Sequence, residues 1–301
     1  MNIVLGGGIS GLIWAHYNPD YFVLTDQIGG QMLNYFDLGP RYLHYKKQII
    51  DNFLRDLNVP LKLSTIRIGY IDDSGFIDNP DEEFRKKYFM KSRGQNTLQG
   101  FDPSVLNSNI KEFQVCNIDF KDLIDKLYDK IEKRIYMGKV THINLNNHII
   151  TTDNNLVLKY KNLISTIPLN VFAKVANLDI KLQAFDMAYC LLSNNFFNLK
   201  DYDYVYDARS STVFHRMTKC RQGIVCDVLG TKIEEFKNQI LPKYFTSSCD
   251  LSIVYLKNSQ IISLDKDFEL EDKSIRFIGR FGSWNRRWKT ETVIEEAAKN
   301  T

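Results

Sequence analysis

The chain has 301 residues, a net charge of +3, and 44% apolar and 13% aromatic residues. That length buries a large core in one big domain or two closely joined ones, and that composition excludes a disordered chain. A charge so small excludes any diagnosis of a nucleic-acid or membrane partner from charge alone, so partner identity has to come from local features.

The chain opens Met1-Asn2-Ile3-Val4-Leu5, an apolar strand set directly against the glycine turn Gly6-Gly7-Gly8-Ile9-Ser10-Gly11. The spacing Gly6-x-Gly8-x-x-Gly11 is that of a dinucleotide-binding turn. Gly6 permits the sharp strand-to-helix turn, Gly8 leaves room for a pyrophosphate, and Gly11 lets the helix pack closely on the strand. The N-terminus of that helix would then face the phosphates. Asn18-Pro19-Asp20 cuts the first helix short, and Tyr21-Phe22-Val23-Leu24 reads as a second parallel strand ending at Thr25-Asp26. Asp26 is a candidate partner for ribose hydroxyls, with Thr25 as the alternative occupant of that slot. A solvated turn aspartate is the competing reading of Asp26.

Gly29-Gly30-Gln31 follows, then Asp37-Leu38-Gly39-Pro40-Arg41-Tyr42-Leu43-His44, then a helix over about 46–57 with Ile49, Ile50, Phe53 and Leu54 on one face. A nicotinamide-binding unit has no need of this second glycine pair. A flavin does, because glycines let backbone amides approach a second large ring system. Residues 60–110 read as an insertion with a strand at Ile66–Ile71, a turn at Asp72–Gly75 and a charged helix at Glu82–Lys91. An amphipathic helix is expected over Asp119–Ile131. Three short strands, Lys139–Ile143, His148–Thr152 and Leu156–Tyr160, form an antiparallel meander. Asn162–Leu169 is expected to rejoin the parallel sheet. A second block over 175–260 contains strands near Tyr189–Leu192, Tyr202–Tyr206, Gly223–Val228 and Leu251–Leu256. Ile275–Gly282 reads as a last strand and turn, and Thr290–Ala298 as the C-terminal helix.

Five cysteines, Cys116, Cys190, Cys220, Cys226 and Cys249, lie far apart with no CxxC, so neither a zinc site nor a disulfide framework is expected. That usage suits a reducing compartment. A first strand starting at residue 2 leaves no room for a signal peptide, and no apolar run spans a bilayer, so a soluble, cytoplasmic protein is expected.

The order of these motifs resembles the flavoprotein superfamily of amine oxidases, protoporphyrinogen oxidase-like proteins and UDP-galactopyranose mutase. The resemblance rests on the N-terminal glycine turn, Gly29-Gly30, Asp37 to His44, the meander ending in Ile164-Ser165-Thr166-Ile167-Pro168-Leu169, and Gly279-Arg280-Phe281-Gly282-Ser283-Trp284. It implies an α/β fold: a Rossmann-like FAD-binding domain with a parallel sheet and small meander, formed by 1–60, 110–175 and 260–301, plus an inserted α+β substrate domain formed by 60–110 and 175–260. It implies FAD as cofactor, with Gly6, Gly8, Ile9, Ser10 and Gly11 at the pyrophosphate, Thr25 and Asp26 at the ribose, and Gly29, Gly30, Gln31, Gly39, Pro40 and Arg41 along the flavin. Val140 would offer its backbone to the adenine, and Thr166, Gly279, Arg280, Phe281 and Trp284 would close the site from the C-terminal side.

His44, His215 and Arg280 are the candidate catalytic residues on this reading. An arginine such as Arg280 stabilises an anionic reduced flavin or a phosphate. His44 resembles the histidine after Gly-Pro in the mutases, and helix capping is its competing role. Tyr88, Lys91, Arg93 and Arg216 are candidate substrate ligands suited to an anion, or else solvated surface groups, and His215 beside Arg216 carries the same two readings. Arg286 and Arg287, in Trp284-Asn285-Arg286-Arg287-Trp288-Lys289, stand where the mutases carry tyrosines; they suit a phosphorylated or stacked aromatic substrate, or simply begin a basic helix. The resemblance thus implies an FAD-dependent oxidoreductase that takes hydride from a C–H bond next to nitrogen or oxygen. Three alternatives stay open: a mutase or lyase acting on a sugar nucleotide, a flavoenzyme modifying a nucleotide or nucleic-acid base, and a flavin-binding protein without turnover.

Overall fold

A computed structural model describes all residues except 31–41, 95–97, 99–100, 102–110, 193–198, 221–222, 245–250, 265 and 301. In chain order, β1 (Asn2–Gly8), α1 (Ile9–Tyr17), β2 (Tyr21–Gly29), the two-residue β3 (Leu43–His44) and α2 (Lys47–Asp56) come first. Then follow β4 (Leu63–Asp72), β5 (Gly75–Ile77), α3 (Glu82–Arg93), β6 (Glu112–Cys116) and α4 (Phe120–Ile131). The next stretch holds β7 (Ile135–Met137), β8 (Val140–Asn144), β9 (Ile149–Thr152), β10 (Val157–Lys159), β11 (Asn162–Ser165) and α5 (Leu169–Val175). Last come β12 (Ala184–Leu192), β13 (Tyr204–Asp207), β14 (Phe214–Cys220), β15 (Gly223–Leu229), α6 (Ile233–Tyr244), β16 (Ser252–Ile261), β17 (Ile275–Phe277) and α7 (Thr290–Lys299). The chain divides into two units: Met1–Leu63 with Cys116–Gln183 and Ile261–Thr301, and Ser64–Val115 with Ala184–Gln260.

The first unit is built on a parallel sheet of order β17-β11-β1-β2-β7. Ile3, Val4 and Leu5 of the central β1 are buried, as expected of a strand covered on both faces. Leu12, Ile13 and Ala15 of α1 pack with Ile50, Phe53 and Leu54 of α2, Leu123, Ile124 and Leu127 of α4, and Val293 and Ile294 of α7 in one apolar core. Each fully buried side chain of this size contributes roughly 1.5–3 kcal/mol. Helix α1 stops where the Asn18 backbone and side-chain amides both donate to the Trp14 carbonyl, and Pro19 disfavours helical geometry at Asn18. The meander is a separate sheet of order β10-β9-β8.

The sequence reading needs four corrections here. Strand β2 runs on past Thr25-Asp26 to Gly29, because Thr25, Asp26 and Gln27 bulge out and let Gly7 pair with Ile28 and Gly8 with Gly29. Strand β7, three residues long, adds an edge to the parallel sheet that no periodicity announces. Helices α5 and α6 occupy segments given no helix in the sequence reading. Strand β14 stands where only a His-Arg pair was singled out; it is a continuous strand with a bulge between Phe214 and Arg216.

In the second unit the sheet runs β16-β12-β15-β14-β13-β4-β6, with β5 on β4. Register assigns its faces, since directly opposed residues share a side. Cys190, Cys226, Met217 and Val205 are opposed in turn and lie in an apolar core with Phe236 and Ile240 of α6. The other face carries Tyr189, Asp227, Arg216, Tyr206 and Tyr70, also opposed in turn across β12, β15, β14, β13 and β4. Phe84 and Tyr88 of α3 cover the Tyr70 end of that row. Among the described residues no helix is long and apolar enough to cross a membrane.

Candidate functional site

The glycine turn lies at the carboxyl end of β1, where open parallel sheets bind their ligands. A Cβ at Gly11 would stand 1.9 Å from the Gly6 carbonyl oxygen, so close helix-on-strand packing requires glycine there. A Cβ at Gly6 would meet the Thr166 hydroxyl at 2.6 Å, and that hydroxyl donates to the Leu5 and Gly6 carbonyls at 3.1 and 3.2 Å. Thr166 therefore holds the turn in shape. Gly8 differs from both: among the described residues, a Cβ there would have no atom within 4 Å, so they leave space above it.

Helix α1 starts at that open space with Gly8 as N-cap, no side-chain cap and no acidic residue in its first turn. Its first N–H groups have no partner within the helix, and the dipole favours an anion beside Ile9 and Ser10. The second glycine pair meets the first. Gly29 and Gly30 both have positive φ, and a Cβ at Gly30 would lie 3.2 Å from Gly8 Cα. Gly279, at the end of β17, closes the other side, its would-be Cβ 2.7 Å from Ser10 Oγ.

Thr25 and Asp26 differ in their surroundings. The Thr25 hydroxyl accepts from Gly7 N–H at 2.9 Å and donates to the Gln27 carbonyl at 2.7 Å, so it is spent on the bulge. Asp26 is exposed at the bulge's apex. Gly138 N–H donates to the Thr25 carbonyl at 2.8 Å, which brings the start of β8, and Val140 with it, towards the end of β2.

The C-terminal basic segment is a tethered turn, and α7 starts only after it. Asn285 and Trp288 both donate to the Asp267 carboxylate, at 2.5 and 3.2 Å, and Arg286 N–H donates to Ser263 at 2.9 Å. Arg280 and Arg287 are exposed, Phe281 and Arg286 half-buried. Trp284 is 1% exposed with φ of 53°, so its ring is enclosed by protein. His44 is half-buried near Lys289 and Lys46; burial and then these two cations push its pKa down to about 4, leaving the imidazole neutral at physiological pH. Glu291, buried in the first turn of α7, is pushed upward by burial. Gln31, Gly39, Pro40 and Arg41 lie outside the described residues.

The substrate candidates of the second unit are committed internally rather than left in solvent. Lys91 donates to Asp207 at 3.0 Å, to the Arg209 carbonyl at 2.7 Å and to Thr212 at 2.7 Å, which uses all three of its donors. Burial lowers its pKa against the opposing pull of Asp207. Arg93 is buried with its guanidinium 3.7 Å from the Phe89 ring centre. His215 is buried, neither facing solvent nor open to an anion, because the β14 bulge turns it in against Tyr88, ring centres 5.8 Å apart. Arg216 pairs with Asp227, and its guanidinium lies 5.4 Å from the Tyr204 ring centre. Tyr204 and Tyr206 are edge to face at 5.0 Å, and Tyr206 and Tyr70 are stacked at 5.6 Å.

The sequence reading passed over Asp227, Tyr189, Tyr204 and Tyr206. Two signals were present: tyrosines two apart in Tyr204-Val205-Tyr206, and a lone aspartate inside the apolar run Gly223 to Leu229, which needs a partner when buried.

No protein-family model matches the sequence, and no curated protein matches it. Solved structures do match the fold. A reduced UDP-galactopyranose mutase aligns over 99% of this chain and 92% of its own, at 13% identity and a TM-score of 0.74. A wild-type putrescine oxidase bound to putrescine aligns over 99% and 97%, at 12% identity and 0.61. A fatty acid isomerase from P. acnes that produces CLA also aligns over 99% and 97%, at 12% identity and 0.61. The chain therefore has the α/β fold shared by the oxidase, the mutase and the isomerase, over essentially its whole length.

Proposed function

We propose that the protein is an FAD-dependent oxidoreductase acting on a substrate C–H bond next to nitrogen or oxygen. One observation carries the cofactor reading: an uncapped helix N-terminus beside a glycine turn whose Gly8 faces open space, with Gly30 against its backbone. These residues fit a dinucleotide in which a second ring system follows the pyrophosphate. Gly8, Ile9 and Ser10 would hold the pyrophosphate through backbone N–H groups, Asp26 the ribose, and Gly29, Gly30 and Gly279 the approaches to the flavin. FAD, when bound, supplies the hydride acceptor.

The protein's part is position and charge. His44 is a neutral imidazole that can donate or accept a hydrogen bond but does not carry a proton as an imidazolium at pH 7. The half-buried Tyr189, Tyr204 and Tyr206 at the uncovered part of the second unit's row are the candidates to meet a substrate. Support for the reaction class comes from the resemblance of the motifs to flavoproteins and from the putrescine oxidase among the matching folds. The test is anaerobic mixing of the flavin-loaded protein with a panel of amines and alcohols. Bleaching by one member, followed by recovery with oxygen or another acceptor, is expected. Bleaching by dithionite alone would sink the oxidoreductase reading.

A further inference from the structure

The row Tyr189, Asp227, Arg216, Tyr206 contains one cation, and that cation is already matched. Arg216 is 27% exposed at its side chain, whereas the Asp227 carboxylate it pairs with is 0% exposed. Arg216 stands among Tyr88, Tyr189 and Tyr204, and Asp227 raises its pKa against the effect of burial. A guanidinium and a carboxylate side by side present no net charge to a ligand. The buried carboxylate also repels any second anion brought to the same guanidinium, in a setting where water screens little.

The second buried carboxylate of this unit is placed differently. Asp207, also 0% exposed, takes both Lys91 and the Arg209 guanidinium, so there one carboxylate faces two cations and the cluster keeps a net positive charge, unlike the matched Asp227–Arg216 pair. Phosphate recognition works in the opposite way, with cations left open to a ligand in a forked geometry.

We infer that Asp227 is a specificity-determining residue: by neutralising Arg216 within the tyrosine row, it restricts that row to ligands without an anionic group and excludes phosphorylated ones. The inference deepens the proposed function, on which it rests for the idea that this row meets substrate. It weighs against a sugar-nucleotide substrate and in favour of a small molecule without an anionic group that packs on tyrosine rings and bonds to their hydroxyls.

The experiment is calorimetric titration of the flavin-loaded protein with inorganic pyrophosphate, comparing the parent with Asp227→Asn, Arg216→Gln and the double variant. The parent should show no Arg216-dependent binding up to about 5 mM. Asp227→Asn leaves the guanidinium charge uncompensated and should bind pyrophosphate at least about tenfold more tightly, a gain that the double variant loses. A parent whose pyrophosphate binding disappears in Arg216→Gln, or a folded Asp227→Asn with no gain, would overturn the inference. If Asp227→Asn does not fold, Arg216→Gln decides: unchanged pyrophosphate binding supports the inference, and a loss overturns it. A chain that takes up no FAD refutes the cofactor reading separately, because the difference between the parent and Arg216→Gln cancels any binding at the glycine turn.

Discussion

Gly8 and Gly11 are both glycines of one turn, yet they should respond to alanine in opposite ways. Gly11→Ala drives a methyl to within 1.9 Å of a backbone oxygen and should unfold the first unit or lower its thermal midpoint sharply. Gly8 has an ordinary φ of −70° and, among the described residues, no atom near its would-be Cβ. Gly8→Ala should therefore keep the thermal midpoint of the cofactor-free protein while weakening FAD binding by about tenfold or more. Equal loss of stability in both variants would remove the ligand role of Gly8.

His44 makes a separate prediction. Its pKa is lowered from 6.5 to about 4 by burial and by Lys289 and Lys46, so between those values the unfolded chain binds the proton and the folded chain does not. Stability should fall as pH drops from about 6.5 to about 4, and is unaffected by this group above that window. Urea titrations of His44→Gln should show a shallower pH dependence across the window. An identical slope would mean that His44 titrates normally.

At the scale of elements, the bulge in β2 depends on one hydroxyl. Thr25→Val keeps the shape but leaves the buried Gly7 N–H without an acceptor, at a cost of about 1–3 kcal/mol, measurable as a lower urea midpoint with an unchanged slope. An unchanged midpoint would mean that the turn holds without it. The same bulge shows why the sequence was legible in part. Tyr21 to Leu24 reads as a strand from its apolar run, but the continuation through Thr25, Asp26 and Gln27 depends on a tertiary bond between Thr25 and Gly7. Strand β14 was hidden for a related reason: its bulge spoils the alternation, leaving Phe214 and Met217 on the α6 face with the two consecutive residues His215 and Arg216 both on the tyrosine face. Helix α4 was plain because Asp119 caps it, accepting from Lys121 N–H at 2.8 Å, and its apolar face is regular.

At the scale of the whole molecule, the glycine signals were legible because close backbone approach leaves almost no choice of residue. The polar row of the second unit was not, because it depends on charge pairing across strands far apart in sequence. Arg216 was visible as a cation, but only the β14–β15 register reveals that Asp227 cancels it. The Lys91 network likewise joins a helix to the end of β13 and the loop after it, more than a hundred residues later. Sequence therefore points to a ligand in the first unit more directly than it points to a substrate in the second.

The most direct measurement is the visible absorption spectrum of the purified protein, before and after adding FAD, with any chromophore released by heat and identified. Two flavin bands from a bound and releasable FAD are the expected result, with Gly8→Ala retaining less of it than the parent. A protein that is colourless as purified and binds no added FAD would contradict the cofactor assignment, and with it the oxidoreductase reading, leaving the glycine turn to serve a different ligand.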